Sequence, residues 1–212
     1  VMGVNNLSVD EWEESFGKVY RTLIDEGLET IMVGHIALPE MSRKLVPGIE
    51  DKDIKPATLS KELLTDLLRE DMNFNGLVIT DASHMVGMSA TSKRCDAVPG
   101  AIIAGCDMFL FANDIAEDMA YVRKAYEDGL LTEERLEEAV RRILGMKAHL
   151  NLTDESVIIP DKKELDNIGC DAHRECAKKA ADECITLVKD TYKNLPVNPD
   201  EKKRVFLVYV GS

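Results

Sequence analysis

The stretch Phe74-Asn75-Gly76-Leu77-Val78-Ile79-Thr80-Asp81-Ala82-Ser83-His84-Met85-Val86-Gly87-Met88 decides how the rest of the chain is read. Asn75-Gly76 is a turn pair, and Leu77-Val78-Ile79 is a short apolar run. Its length and β-branched content favour a strand buried on both faces over a helix. Such strands occur mainly in parallel sheets covered by helices. The run stops abruptly at Thr80-Asp81, before the small residues Ala82 and Ser83. An acidic group at the carboxyl end of a parallel strand sits where α/β folds keep their chemistry. Aspartate is equally a good helix N-cap. The pattern alone leaves both readings of Asp81 open.

Working back from this stretch, Ser60 is placed to cap a helix whose Leu63, Leu64, Leu67 and Leu68 form one stripe. Before it, Ile36 to Thr58 reads as loop, with Pro39, Pro47, Gly48 and Pro56. Thr30 to His35 reads as an earlier strand that also ends in a polar residue. The chain opens on a capping box, Ser8-Val9-Asp10-Glu11, followed by Trp12, Phe16, Val19, Tyr20, Leu23 and Ile24 at helical spacing and a stop at Gly27.

Working forward, Ser89 to Arg94 reads as a polar loop and Val98 to Ala104 as a short helix with Pro99 near its start, ended by Gly105. Asp107 to Ala112 reads as a third strand, ending at Asn113 and Asp114. Ile115 to Asp128 is helical. Thr132 then caps a charged helix with Leu136, Val140, Ile143 and Leu144 inside, a solvated acidic face from Glu133 to Glu138, and Arg141 and Arg142 suited to its negative end. Helix and strand alternate throughout, the signature of a parallel α/β sheet. Thr153 to Asp166 lacks a period and reads as linker. Asp171 to Val188 reads as a helix burying Ala172, Cys176, Ala180, Cys184, Leu187 and Val188, then Asn194 to Pro199 as loop, and Arg204 to Val210 as a fourth strand.

Composition narrows the classes. Net charge is −13, from 39 acids against 26 bases, which argues against a nucleic-acid partner. No apolar run is long enough to span a membrane. Five cysteines without close pairs do not read as a disulfide framework. They fit reduced thiols, buried as small hydrophobes, and a cytoplasmic setting. Cys170, His173 and Cys176 have a spacing that suggests a metal, but no second ligand pair accompanies them, so no metal and no cofactor are expected.

The assembled motifs resemble glycoside hydrolase family 3, in its β-N-acetylglucosaminidase (β-hexosaminidase) branch. The carriers are Ile31-Met32-Val33-Gly34-His35-Ile36-Ala37-Leu38-Pro39, Pro56-Ala57-Thr58-Leu59-Ser60, Leu68-Arg69-Glu70, Phe74 to Asp81, Ala104-Gly105-Cys106-Asp107-Met108 and Arg142-Ile143-Leu144-Gly145-Met146-Lys147. Ala181 to Lys189 and Val205-Phe206-Leu207-Val208 resemble the start of that family's second domain. One departure lies at the nucleophile, which many members follow with a second acid or a tryptophan. Here Ala82-Ser83-His84-Met85 follows.

The resemblance implies an α/β chain made of a partial (β/α)8 TIM barrel, about its last three strands and their helices, followed by the start of an α/β sandwich. Residues 1–152 would be the C-terminal part of the barrel, 153–203 a linker and helix, and 204–212 the first strand of the truncated second domain. It further implies a fragment of a retaining β-N-acetylhexosaminidase acting on terminal β-linked N-acetylglucosamine. Asp81 would be the nucleophile, while His35, His84 and Met85 line the sugar site. His35 has a structural reading beside that one, as a histidine bonded to backbone. The histidine-aspartate acid/base pair and the lysine-histidine sugar clamp would lie upstream of Val1. The expected partners are a carbohydrate and the missing N-terminal half of the barrel, and the fragment alone is expected to self-associate. A β-glycoside phosphorylase or β-glucosidase of the same family, or a non-catalytic carbohydrate-binding or interaction module, is the alternative.

Overall fold

The computed structural model describes residues 3–155, 161–193, 195–198, 200–201, 204, 206 and 208–210. The chain separates into two compact units, Val1–Glu155 and Ser156–Ser212.

Two parallel strand pairs order the first unit. β1 (Gly3–Val4) pairs with β3 (Ile36–Ala37), and β2 (Thr30–Val33) pairs with β4 (Leu77–Thr80) in the register Thr30–Leu77 through Val33–Thr80. Parallel neighbours need a crossover, and helices supply it. α1 (Val9–Trp12) runs through a π-type turn, Glu13–Gly17, into α2 (Lys18–Asp25); α3 (Pro39–Leu45) and a π-type helix, Glu62–Asp71, lead into β4. Beyond β4 come α4 (Val86–Ser89), α5 (Arg94–Ala104), α6 (Ile115–Glu127) and α7 (Glu133–His149). No described helix is long and apolar enough to cross a membrane.

The core forms where the sequence placed it. Leu63, Leu64, Leu67 and Leu68 are all buried, packed in one cluster with Ile31, Val33, Phe74 and Val78. Ser60 caps their helix, its hydroxyl accepting the Leu63 N–H at 3.2 Å. The Ser8 capping box is present at both of its bonds, and Gly27 ends α2 with φ +90°. Residues of β2 alternate: Ile31 and Val33 face the helices, whereas Met32 is 52% exposed on the opposite face. Met32 pairs with Ile79, and Ile79 bridges to Met108, so three apolar side chains line up across that open face.

Several expectations are corrected. The Ile36–Thr58 loop holds β3 and α3, the helix starting at Pro39, where the missing N–H is no loss. The third strand reduces to a bridge at Met108. Thr80 Oγ1 takes the Leu110 N–H at 2.9 Å, a bond the next ladder carbonyl would otherwise accept, and the ladder stops. α5 begins at Arg94, which puts Pro99 inside the helix instead of near its start. Of the first helical stripe, Phe16, Val19 and Leu23 are exposed and only Trp12 is buried, with Tyr20 and Ile24 half-buried. In α7 Arg135, Ala139 and Arg142 turn inward; of the expected stripe Leu136 and Ile143 are half-buried, Leu136 packing against Ile102, Ala125 and Leu131, while Val140 and Leu144 are exposed, and the reason is a buried carboxylate described below.

In the second unit, part of the expected linker is a 3-10 helix, Lys162–Asn167, while residues 156–160 lie outside the described ones. α8 (Asp171–Cys184) is shorter than expected, and the stripe from Ala172 to Val188 is exposed, with no described residue covering it. Cys106 is therefore the one fully buried thiol of the five, and all five are free. Arg204, Phe206 and Val208 to Val210 form no strand and lie exposed; a strand needs a partner for its backbone groups, and none among the described residues is paired to them. Val205 and Leu207 lie outside the described residues.

Candidate active site around Asp81

β4 is pinned at both ends, and its carboxyl end carries Asp81. At the amino end Asp107 does the pinning. Its carboxylate is fully buried, with Oδ2 accepting the Val78 N–H at 2.9 Å and Arg69 Nη2 at 2.8 Å. Oδ1 accepts Arg135 Nη2 at 2.8 Å and Arg142 Nη1 at 3.4 Å. Arg69 further donates to the Gly76 and Gly105 carbonyls, at 3.2 and 3.0 Å, closing the Asn75-Gly76 turn onto the end of α5. Burial pushes the Arg69 guanidinium below its ordinary value, with Asp107 opposing. Burial also raises the neighbouring Cys106 thiol to about 12, so it carries no thiolate at neutral pH.

At the carboxyl end, Asp81 continues the ladder, its N–H donating to the Val33 carbonyl at 2.9 Å. Its Oδ1 accepts the Ala82 N–H at 2.7 Å, and the side chain is half-buried. The helix-cap reading does not hold: Met85 stands at the N-cap of α4, and no helix begins at Ala82. By contrast, Asp114 does cap α6, accepting the Glu117 N–H at 3.0 Å.

The loop after Asp81 is held from two sides. From below, the buried His35 ring reaches the Ala82 carbonyl with Nε2 at 3.0 Å and Thr58 Oγ1 with Nδ1 at 2.8 Å. A carbonyl can only accept, so Nε2 carries the proton and, in the neutral ring, Nδ1 accepts from the Thr58 hydroxyl. Both nitrogens are engaged inside the protein. His35 thus takes its structural reading here: a strut beneath the loop. Gly87 packs against it so closely that a Cβ would stand 2.8 Å from His35 Cβ. From the side, the Ser83 N–H donates to the Leu110 carbonyl at 3.2 Å and its hydroxyl to the Phe111 carbonyl. Arg94 steadies Ser83 at 3.3 Å and is itself held bidentately by Asp118, at 2.7 and 2.5 Å.

His84 and Met85 stand exposed on this loop, and the His84 ring lies 5.7 Å from that of Phe111. The structure therefore gathers Asp81, His84 and Met85 on one loop and sets His35 behind it. Sequence reasoning missed Asp107, Arg94, Asp118 and Phe111. Asp107 and Arg69 were visible only as parts of motifs; the others carry no local signal, because their partners lie 24 or more residues away in Arg94–Asp118 and 28 in Ser83–Phe111. An apolar cleft of about 170 Å³ lies elsewhere, lined by Trp12, Tyr20, Ile31 and Leu68 and by none of the site residues. Among the described residues no group of three or more His, Cys, Asp or Glu converges to hold a metal.

Parallel strands covered by helices, with a carboxylate at a strand's carboxyl end, define the class: a TIM-barrel-type α/β enzyme fold. Residues 2–146 match the glycosyl hydrolase family 3 N terminal domain, and the chain belongs to that family. It is 46% identical over 206 residues to a β-N-acetylglucosaminidase/β-glucosidase of Cellulomonas fimi, covering 97% of this chain and 36% of that protein. It is 30% identical over 170 residues to β-hexosaminidase A of Pseudoalteromonas piscicida, covering 76% of this chain and 28% of that one. Among solved structures, a β-glucoside phosphorylase bound to 2FGlc superposes with a TM-score of 0.83 at 44% identity, covering 94% of this chain and 36% of its own. The chain thus spans about a third of the length of these relatives.

Proposed function

We propose that the chain supplies about the last three strands of a (β/α)8 barrel, completed by further polypeptide, in a retaining enzyme that cleaves terminal β-linked N-acetylglucosamine. The observation that carries this is Asp81: a half-buried carboxylate at the carboxyl end of β4, held at one oxygen by the Ala82 N–H. In this reading Asp81 attacks the anomeric carbon while an acid from elsewhere in the barrel protonates the departing oxygen. The glycosyl-enzyme is then opened by water, activated by the same acid/base residue. A carboxylate held by one N–H keeps an orientation, as a nucleophile requires. His84 and Met85, exposed beside it, would line the sugar pocket. Free thiols suit a reducing cytoplasmic setting within the same proposal.

A second reading has its own support. The likeness to a β-glucoside phosphorylase, at 44% identity, favours phosphate in place of water at the second step. Both readings share the covalent step on Asp81. The intact protein, incubated with a fluorinated N-acetylglucosaminyl donor that keeps its 2-acetamido group and whose glycosyl-enzyme forms but scarcely opens, is expected to be labelled on the peptide containing Thr80-Asp81-Ala82. Label on another carboxylate would refute the assignment. Opening the adduct with water or with phosphate then separates hydrolase from phosphorylase.

A further inference from the structure

Asp81 lies between two residues that are tied to the same neighbouring segment. Before it, Thr80 Oγ1 accepts the Leu110 N–H at 2.9 Å. After it, the Ser83 N–H donates to the Leu110 carbonyl at 3.2 Å and the Ser83 hydroxyl to the Phe111 carbonyl. The peptide joining Ala82 to Ser83 is thereby gripped at both polar atoms, its carbonyl by His35 Nε2 and its N–H by Leu110. The peptide before it supplies the Ala82 N–H that Asp81 Oδ1 accepts. How firmly the carboxylate is aimed therefore depends on how firmly Ser83 is held.

The hold on the Ser83 side chain comes from an ion pair between α5 and α6. A hydroxyl has one proton to give; Ser83 gives it to Phe111 and accepts from Arg94 Nη1 at 3.3 Å. The guanidinium cannot follow Ser83 if the loop moves. Its Nε and Nη2 are held by Asp118 at 2.7 and 2.5 Å, and it lies over the Phe109 ring at 5.6 Å. Phe111, at the far end of this chain, has φ +59°, where a bulky residue is strained. Such strain persists only where the surroundings over-determine it. A buried ion pair seldom gives more stability than apolar side chains of the same volume. What this one adds is direction, and it is spent two residues past Asp81.

Resting on the assignment of Asp81 as nucleophile, we propose that Arg94 and Asp118 are positioning residues for the covalent step, aiming Asp81 through Ser83. They set the rate at which the bond to the anomeric carbon forms, and not how tightly the sugar binds. A carboxylate that swings with a loosened loop keeps its charge but loses its line of attack, and small misplacements of a reacting group are costly in rate.

The intact protein, labelled by the fluorinated N-acetylglucosaminyl donor, reads that step directly as a limiting rate at saturation and a donor concentration at half-saturation. Ser83→Ala keeps the ion pair and removes only its grip on the loop. It is expected to lower the limiting rate about tenfold and leave half-saturation unchanged. Arg94→Ala should do the same, and the double variant should be little worse than either, because both changes break one chain. Guanidinium ion, at concentrations too low to unfold the protein, should seat against Asp118 and restore Arg94→Ala but not the double variant. A merely structural role would let guanidinium help both alike. If Arg94→Ala does not fold, Ser83→Ala decides alone. A wild-type limiting rate in Ser83→Ala, a loss carried by half-saturation only, or a rescue that does not need Ser83 overturns the positioning role while leaving Asp81 as nucleophile. A wild-type protein labelled anywhere but on Asp81 overturns both.

Discussion

Asp107 and Val78 are joined twice: the Asp107 N–H donates to the Val78 carbonyl at 2.7 Å, and the Val78 N–H returns to the Asp107 carboxylate at 2.9 Å. The second bond replaces a ladder bond with a side chain, and it ties the register of β4 to three arginines from two helices. Whatever moves Asp107 moves the strand that carries Asp81.

Asp107→Asn should therefore act far beyond one lost bond. Arg69, Arg135 and Arg142 have side chains only 10%, 14% and 17% exposed; Arg69 would be left facing no anion, and Arg135 and Arg142 would share only Glu138, at 3.4 and 3.6 Å. Breaking one side of a buried ion pair costs about 3–5 kcal/mol. Urea unfolding of the chain should show a loss of that size for both Asp107→Asn and Asp107→Ala. A change below about 1 kcal/mol would mean that the arginines are satisfied by the backbone carbonyls alone.

Gly87 offers a second test, near the site itself. An alanine methyl there meets His35 Cβ at 2.8 Å and the His35 carbonyl at 3.0 Å. Neither can yield easily, since the ring is fixed between Thr58 and Ala82. Gly87→Ala should cost about 1–3 kcal/mol in thermal unfolding. In the intact protein it should also lower kcat, because α4 and the loop before it must shift. Unchanged stability and unchanged kcat together would show that the loop is free to move.

These two sites also mark what the sequence could convey. The capping box at Ser8, the leucine stripe before β4 and the Leu77–Thr80 strand are written in adjacent residues, and the fold keeps them. The same short-range logic misjudged α7. Arg142 suited a helix end by position, yet the helix turns it inward because Asp107, 35 residues earlier in the chain, is buried there. The helical spacing of Phe16, Val19 and Leu23 gave the helix but not its surroundings: the three are exposed among the described residues. At the site, Asp81 was legible as an acid ending a strand. His35 was legible as a polar residue ending another and, in one of its two readings, as a histidine bonded to backbone, but its partners Thr58 and Ala82, 23 and 47 residues away, were not.

The uncovered faces lead to a prediction about assembly. Phe16, Val19 and Leu23 on one side, and Met32 and Met108 on the open sheet face, are exposed together in the chain alone. Large exposed apolar patches mark surfaces that bind something. Sedimentation velocity should show the isolated chain associating as its concentration rises. In the proposed reading, in which further polypeptide completes the barrel, addition of that polypeptide should compete with the association. A monomer at every concentration would contradict both.

The isolated chain should also be a poor catalyst. In the proposed reading the proton donor comes from elsewhere in the barrel, and general acid help is worth ~10²–10⁴-fold. Hydrolysis of a nitrophenyl N-acetylglucosaminide should fall by at least that factor relative to the intact protein. Because nitrophenol leaves readily without a proton, the deficit should be larger on a disaccharide than on the aryl substrate. Equal rates for chain and intact protein would place the acid on the chain itself.

The last prediction concerns the bond that Asp81 makes. Asp81→Ala removes one hydrogen bond, to the Ala82 N–H, from a half-buried side chain, so the fold should survive with a loss of about 1 kcal/mol. Turnover should not survive, since no neighbouring side chain on the loop can attack the anomeric carbon: His84, Met85 and Ser83 are a ring, a thioether and a hydroxyl already bonded to Phe111. The vacated space, however, admits a small anion. Azide added to the Asp81→Ala protein should attack the anomeric carbon of an activated β-glycoside from the face that Asp81 used, expelling the aglycone. The product should be the α-glycosyl azide, inverted relative to the substrate, whereas the wild-type protein, displacing twice in the proposed mechanism, should retain configuration. Product configuration read by NMR distinguishes the possibilities. An Asp81→Ala protein that remains active without azide, or that yields the β-azide, would show that the carboxylate at the end of β4 is not the nucleophile.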